Sequence, residues 1–428
     1  MSFFHLGALY SAAFVSLFLS ECATAETKTI DSSPKTETGL PYRVAELTAS
    51  DGVAGSTLGI SVAVSGNTVV VGQNCSEIGG NPDCDLQHQG AVYVYQRLQN
   101  GWSDMVQTAE LTASDGYAGD LFGKSVAIDG DTIVVGANGK AYVFVNSAGV
   151  WQNQTETAEL TDGATGDYFG LSVAVENNTI VVGATGVSIN GNASQGAAYV
   201  FVEPAGGWLT TAAFNAQLTS SDGTSWDLFG FSVGISGATI VAGAPFHLDQ
   251  TGPGETYVFT RPKNGWTTAT ETAILTRSPQ GPYDEFGLSV AISDGTVVVG
   301  AQQAVGQNNG QGVVDVFVEP SGGWVSSTET AELVSPVVYV DYFGGSVGVF
   351  GSEVVVGGQS LSNFIFVFDK PATGWQSTGH ASTQLKGRNG LSLFGFSVAI
   401  GDSAIVSGAP FKNVDGNPDQ GAAFVFSK

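Results

Sequence analysis

The chain has 428 residues, 59 of them glycine, and 39 acidic against 14 basic side chains give a net charge of -25 at pH 7. Such a charge argues against nucleic acid and anionic membranes as partners, since neither offers it a counter-charge; cations, basic partners and neutral glycans stay compatible. Hydrophobic residues make up 43% and arrive as short Val/Ile/Ala runs bounded by glycine, a strand pattern rather than a helical one.

In chain order, the first element predicted is a secretory signal over residues 1–25. The apolar run LGALYSAAFVSLFLS precedes the small-x-small site Ala23-Thr24-Ala25. Only His5 stands before it in place of the usual Lys or Arg. Glu21 in front of Cys22 argues against a lipid-modified cysteine. No later apolar run is long enough to span a bilayer. The expectation is a secreted, extracellular, monomeric chain with no membrane insertion. Residues 26–41 (ETKTIDSSPKTETGLP) are polar, hold two prolines and read as a flexible linker.

From residue 42 onward one pattern recurs seven times: an aromatic-glycine step, a β-rich run, a Gly-Ala-like step, a second β run and a Trp. The first-step glycine falls at Gly59, Gly123, Gly170, Gly230, Gly287, Gly344 and Gly395. A period of about 50–60 residues with four short strands per unit predicts an all-β, seven-bladed β-propeller over 42–428, with four-stranded antiparallel blades. In the second unit SVAI is strand A, TIVVGA strand B, AYVFV strand C, and Trp151 to Leu160 strand D. Strand A carries small residues (Ser125, Ala127, Ser172, Ala174, Ser232, Gly234), which suits the crowded position nearest the axis. The last unit ends without a Trp or a strand D, whereas RVAELTAS at 43–50 matches strand D but precedes the first strand A. An N-terminal strand is therefore expected to close the last blade and remove a sheet edge. Trp102, Trp151, Trp208, Trp266, Trp324 and Trp375 share one structural address, the C–D corner, which points to packing; Trp226 falls outside that pattern.

Phe122-Gly123 and Phe229-Gly230, with Gly243-Ala244-Pro245 and Gly408-Ala409-Pro410, resemble the FG-GAP repeat, the blade of integrin α-subunit propellers and of microbial and algal relatives. The resemblance covers residues 42–428 and implies a propeller used in adhesion or recognition. The first copy departs at Leu58-Gly59 and Val71-Gly72-Gln73, and the sixth reads Gly357-Gly358-Gln359. Integrin-type blades often carry an Asp-rich calcium loop between strands A and B. Here that connection shrinks to turns such as Asp129-Gly130-Asp131 or Ser236-Gly237, too few oxygen ligands for calcium. The family's calcium role does not transfer to these turns, and no cofactor is expected.

Strand direction places the B–C and D–A loops on one rim. The B–C connections vary in length, the pattern of a recognition face on a constant scaffold. On that rim Asp120, Asp167, Asp227, Asp284 and Asp341 stand two places before the aromatic. They are either a ring of ligand-binding carboxylates or caps on their own turns, and capping explains the repetition at no further cost. Tyr117, Tyr168, Trp226, Tyr283 and Tyr342 lie nearby, either as sugar-stacking platforms or as wedges between blades, the wedge being favoured. Asp415, Asn417 and Asp419 alternate as a compact oxygen-ligand loop for calcium would require, although Asn-Pro-Asp is also a turn former; Asn81, Asp83 and Asp85 repeat the theme in the first unit. Cys75 and Cys84 share one loop and are expected to form a local disulfide. Sequons at Asn74, Asn153, Asn177 and Asn192 suit a secreted glycoprotein, with Asn177 in the most exposed turn. His88, His247 and His380 have no neighbouring nucleophile and read as solvated histidines. Together these features predict a non-enzymatic binding or adhesion module for an extracellular protein or glycan. The rivals are a secreted carbohydrate-active enzyme using rim carboxylates and a structural wall or coat protein.

Overall fold

The computed structural model describes residues 42–74, 89–248, 252–304, 311–337, 342–358, 363–388 and 393–427. The expected signal, linker, Cys75–Cys84 pair, Asn81–Asp85 loop, His88 and Asp341 lie outside those residues.

Seven sheets make the fold, each built on four antiparallel strands that follow one another in sequence order in six of them, the seventh taking its fourth strand from the N-terminus. Blade 3 is representative: A Phe169–Glu176, B Thr179–Ala184, C Ala197–Val202 and D Ala216–Thr219. Strand B is apolar after its first residue, Thr179, and buried along its whole length, as a strand packed on both faces must be. The A strands are only half buried and pack against one another around the ring, so they stand innermost and line a central channel. The circle is completed where Ser61–Ser65 meets Val398–Ile400.

The N-terminal strand closes the ring as expected. Arg43–Thr48 pairs antiparallel with Ala422–Ser427, with Arg43 opposite Ser427 and Leu47 opposite Ala423. Leu47 is fully buried in the core shared by the first and last blades.

The recurring glycines meet across the seams between blades. At the seam of blades 3 and 4, Gly230 adopts φ +83° and donates its N–H to Gly243 O of its own blade at 3.0 Å. Its carbonyl turns to the preceding blade, where Ser172 Oγ donates to it at 2.8 Å. A Cβ on Gly183 would fall 2.0 Å from that same oxygen. The aromatic beside the glycine fills the blade core; Phe122 packs edge-on to Tyr142 and Phe144, with ring centroids 5.4 and 6.1 Å apart.

One expectation is corrected. The stretch from Trp151 to Leu160 is not a single strand D. Strand D is Ala158–Leu160, while Gln154–Thr155 pairs parallel with strand D of the preceding blade (Ala109–Thr112). Met105–Val106, Ala269–Thr270 and Ser327–Thr328 do the same, giving some blades a fifth strand donated by their neighbour. A corner side chain reinforces each clasp: Asn153 Oδ1 accepts from Glu110 N–H at 2.9 Å, and Asp104 Oδ1 from Glu46 N–H at 2.9 Å. The cause is the corner Trp, 2% exposed at Trp151, which buries the bend and sends the chain across the seam. The last blade has no such corner. At its seam Arg388, just past strand D of blade 6 (Thr383–Lys386), donates to Asp104 at 2.6 Å and to Val44 O at 2.7 Å.

Candidate functional site

The D–A segment entering each blade is hydrogen-bonded to the B–C loop of the blade before it, which builds the two loop sets into one rim. Phe229 N–H donates to Gln195 O, Phe286 N–H to Pro253 O and Leu58 N–H to Gln420 O, at 2.8, 2.8 and 3.0 Å. The residue before the aromatic is left-handed in every blade, from Thr57 (φ 58°) to Leu393 (φ 46°).

Three of the rim aspartates are turn caps. Asp120, Asp227 and Asp284 are 4%, 0% and 2% exposed. Each accepts an N–H from three residues earlier: Tyr117 at 2.8 Å, Thr224 at 2.6 Å and Gly281 at 2.7 Å. Ser56 does the same for Val53 in the first blade. Asp167 is half-buried, and its backbone carbonyl holds Gly186 N–H at 2.8 Å. Burial raises the carboxyls of Asp120 and Asp167. The aromatics behave differently from the wedges expected. Tyr117, Tyr168 and Tyr283 are 65%, 38% and 57% exposed. Trp226 is half-buried and tied to the adjacent loop through its N–H to Ala193 O.

Asp415 and Gly416 form a tight turn, with Val414 and Asn417 paired across it. Asn417 Nδ2 donates to Gln420 Oε1 and Gly52 O, and Asp419 N–H to Asn413 Oδ1. Blade 3 builds the same loop with Asn190, Asn192 and Ser194, so internal hydrogen bonds account for its shape. Among the sequons, Asn177 is exposed. Asn153 is exposed as well, with Oδ1 holding the clasp. Asn192 spends Nδ2 on Gln195 and Gly223 O, and Asn74 is buried with Oδ1 accepting from Thr57.

Two ionic clusters escaped the sequence reading. The first corrects His247, which is not solvated: it is 4% exposed. The turn after Ala244 tucks the ring under the rim, where Nδ1 lies 2.9 Å from Asp227 Oδ2. Asp227 also accepts from Thr224 Oγ1 at 2.6 Å and Leu248 N–H at 3.3 Å. Nε2 faces Glu255 Oε2 at 3.9 Å. The Tyr257 hydroxyl sits 2.9 Å from Asp222 Oδ1 and 3.0 Å from Glu255 Oε2. Burial opposes charge on His247, but the Asp227 hydrogen bond and the Glu255 carboxylate outweigh it and raise its pKa; burial also raises Glu255. The second cluster lies in blade 5. Buried Arg277 binds Asp284 at 2.9 Å, Asp315 at 3.2 Å and Glu332 at 2.9 Å. Asp315 Oδ1 has no partner, and burial pushes this carboxyl up to about 7, because the guanidinium that opposes the shift is shared with two other carboxylates. The residue after the first-step glycine is apolar in most blades (Ile60, Leu171, Phe231, Leu288, Phe396) but Lys124 in blade 2, where burial pushes the ammonium down to about 8.

The FG-GAP repeat family model matches residues 42–95, 105–148, 153–201, 213–259 and 269–317, more than half of the chain. The chain belongs to the FG-GAP repeat family. No curated protein matches it in sequence. Each matched FG-GAP unit runs D–A–B–C, so the first begins on the very strand that closes the ring. The glycines that name the FG-GAP repeat are the pair facing each other across each seam. FG-GAP propellers are typically non-enzymatic, and this fold is consistent with a binding module.

Proposed function

We propose that this FG-GAP propeller is a secreted, non-enzymatic module that recognises an extracellular protein or glycan through its B–C and D–A loops, centred on blades 4 and 5. The reading rests on one observation. Tyr283 and Leu248, 57% and 53% exposed, flank Gly252 at the seam of these blades. Tyr283 N–H donates to Gly252 O at 3.2 Å. Both residues hold left-handed backbone, φ 64° and 68°. That conformation costs a bulky residue on the order of 1 kcal/mol, so two exposed apolar side chains are presented at some expense to stability. An exposed aromatic with an apolar neighbour suits a sugar face or an apolar protein side chain. The net charge of -25 favours neutral or basic partners.

A glycan and extracellular-protein array, probed with the wild type and with Tyr283→Ala/Leu248→Ser, tests the reading. Supporting behaviour is a ligand class retained by the wild type and lost by the double variant at unchanged melting temperature. Binding that survives in the variant removes this sector from the site. Soluble product released from any polysaccharide refutes the non-enzymatic reading.

A further inference from the structure

We infer that Asp222, His247 and Glu255 form a binding site for one divalent transition-metal ion of the zinc type on the rim of blade 4. One ligand atom from each lies within 4.8 Å of the others. A tetrahedral ion with bonds of about 2.1 Å needs donors about 3.4 Å apart, a short inward swing for the exposed Asp222 and the half-buried Glu255.

His247 is already prepared for the task. Its side chain is only 5% exposed, and Asp227 holds Nδ1 at 2.9 Å. Asp227 is saturated by Thr224 and Leu248 as well, so it accepts the Nδ1 proton and directs Nε2 toward Glu255, where a bound ion would take the place of the Nε2 proton. A carboxylate behind a histidine in this way is the outer-sphere arrangement that fixes tautomer and ring orientation in metal sites. The gap of 3.9 Å between Nε2 and Glu255 Oε2 is too wide for a hydrogen bond.

The cluster is also short of positive charge. Three carboxylates surround one imidazole, and a single Tyr257 hydroxyl proton stands between Asp222 and Glu255. Among the described residues no Lys or Arg pairs with Asp222, Asp227 or Glu255. Blade 2 provides the internal comparison. There Tyr142 binds Asp115 at 2.9 Å, the same pairing as Tyr257 with Asp222. The first residue of strand C is Lys140, whose ammonium binds Asp115; blade 4 has Glu255 at that place. Blade 2 carries its cation on the chain, and blade 4 replaces it with a further carboxylate and a histidine. An imidazole donor with two carboxylates suits zinc-type ions, whereas calcium and magnesium prefer all-oxygen sets. The exposure of Asp222 leaves a fourth position to water.

Titration calorimetry of the metal-free full-length chain with Zn2+ is the test, with Asp222→Asn and Glu255→Lys alongside. The wild type binds one ion that the other two proteins bind at least tenfold more weakly. Glu255→Lys copies Lys140 and keeps the metal-free melting temperature, which separates loss of the site from loss of the fold. Co2+ gives visible d–d bands without thiolate charge-transfer bands. Equal Zn2+ affinity in all three proteins overturns the site, as does no binding by the wild type. Thiolate bands place the ion on the cysteines and also overturn it. A response to Ca2+ as strong as to Zn2+ overturns the metal class.

Discussion

Replacing Gly183 by Ala puts the seam geometry to a quantitative test. The new Cβ would sit 2.0 Å from Gly230 O and 2.3 Å from Ser172 Oγ. The obstacle is backbone of the neighbouring blade, so relief requires blades 3 and 4 to separate locally by about 1 Å, and overpacking of this kind costs about 1–3 kcal/mol. The same movement stretches the Ser172–Gly230 hydrogen bond, now 2.8 Å, worth about 1 kcal/mol. The expected loss is therefore about 3 kcal/mol. With an unfolding entropy of about 2 cal/mol/K per residue, a chain of this length loses about 4 °C of melting temperature. Ser172→Ala removes the hydrogen bond alone and should cost about 1 kcal/mol. Gly206→Ala is the control, because it has ordinary φ and no atom within 4 Å of its built Cβ. It should stay within about 0.5 kcal/mol of the wild type. Denaturant unfolding of the three variants gives the ranking. If Gly183→Ala is as mild as Gly206→Ala, contact across the seam is not what requires glycine there.

Three further outcomes follow from the ring and its buried charges. Arg277→Ser alone leaves Asp315 and Asp284 without their guanidinium and should cost about 3 kcal/mol; adding Asp315→Phe, which copies Ser335 and Phe366 of blade 6, should recover most of it in thermal melts. Asp315 holds its proton more tightly folded than unfolded, so its contribution is full below about pH 4 and is lost as pH rises through about 7. Melting temperatures of wild type minus Asp315→Asn should fall across that window, and a flat difference refutes the assignment. Removing residues 1–48 bares the edge of Ala422–Ser427. The shortened chain should self-associate more than the full-length chain in light scattering, and a peptide of residues 42–50 should reverse this; unchanged association and melting temperature refute the closure's importance.

How much of this was legible in the sequence depends on what each feature repeats. Ring closure was legible because RVAELTAS carries the same alternation as the other D strands, and the last unit lacks one. The clasps were not. Gln154–Thr155 and Ser327–Thr328 are two-residue polar pairings with no periodicity to detect. The glycines were visible as a pattern, but their cause was not. At Gly183 it is a neighbour's carbonyl 47 positions along the chain, known only once the seam is built.

The rim shows why repetition misleads when function is sought. Three of the aspartates that recur, Asp120, Asp227 and Asp284, are buried, since a cap recurs wherever the turn does. What distinguishes one sector from another is departure from the repeat. Aligned by their D and C strands, blade 5 alone has Arg at the place of Ala113 and Asp at the place of Tyr142, and the two departures meet as an ion pair. Blade 4 alone follows its Gly-Ala-Pro step with Phe246-His247 and opens strand C with Glu255, and those departures also converge. Two substitutions falling in one blade and touching in space are the signal that was available and unused. In a ring where sevenfold repetition serves packing, selection for a ligand has to work through the copies that break it.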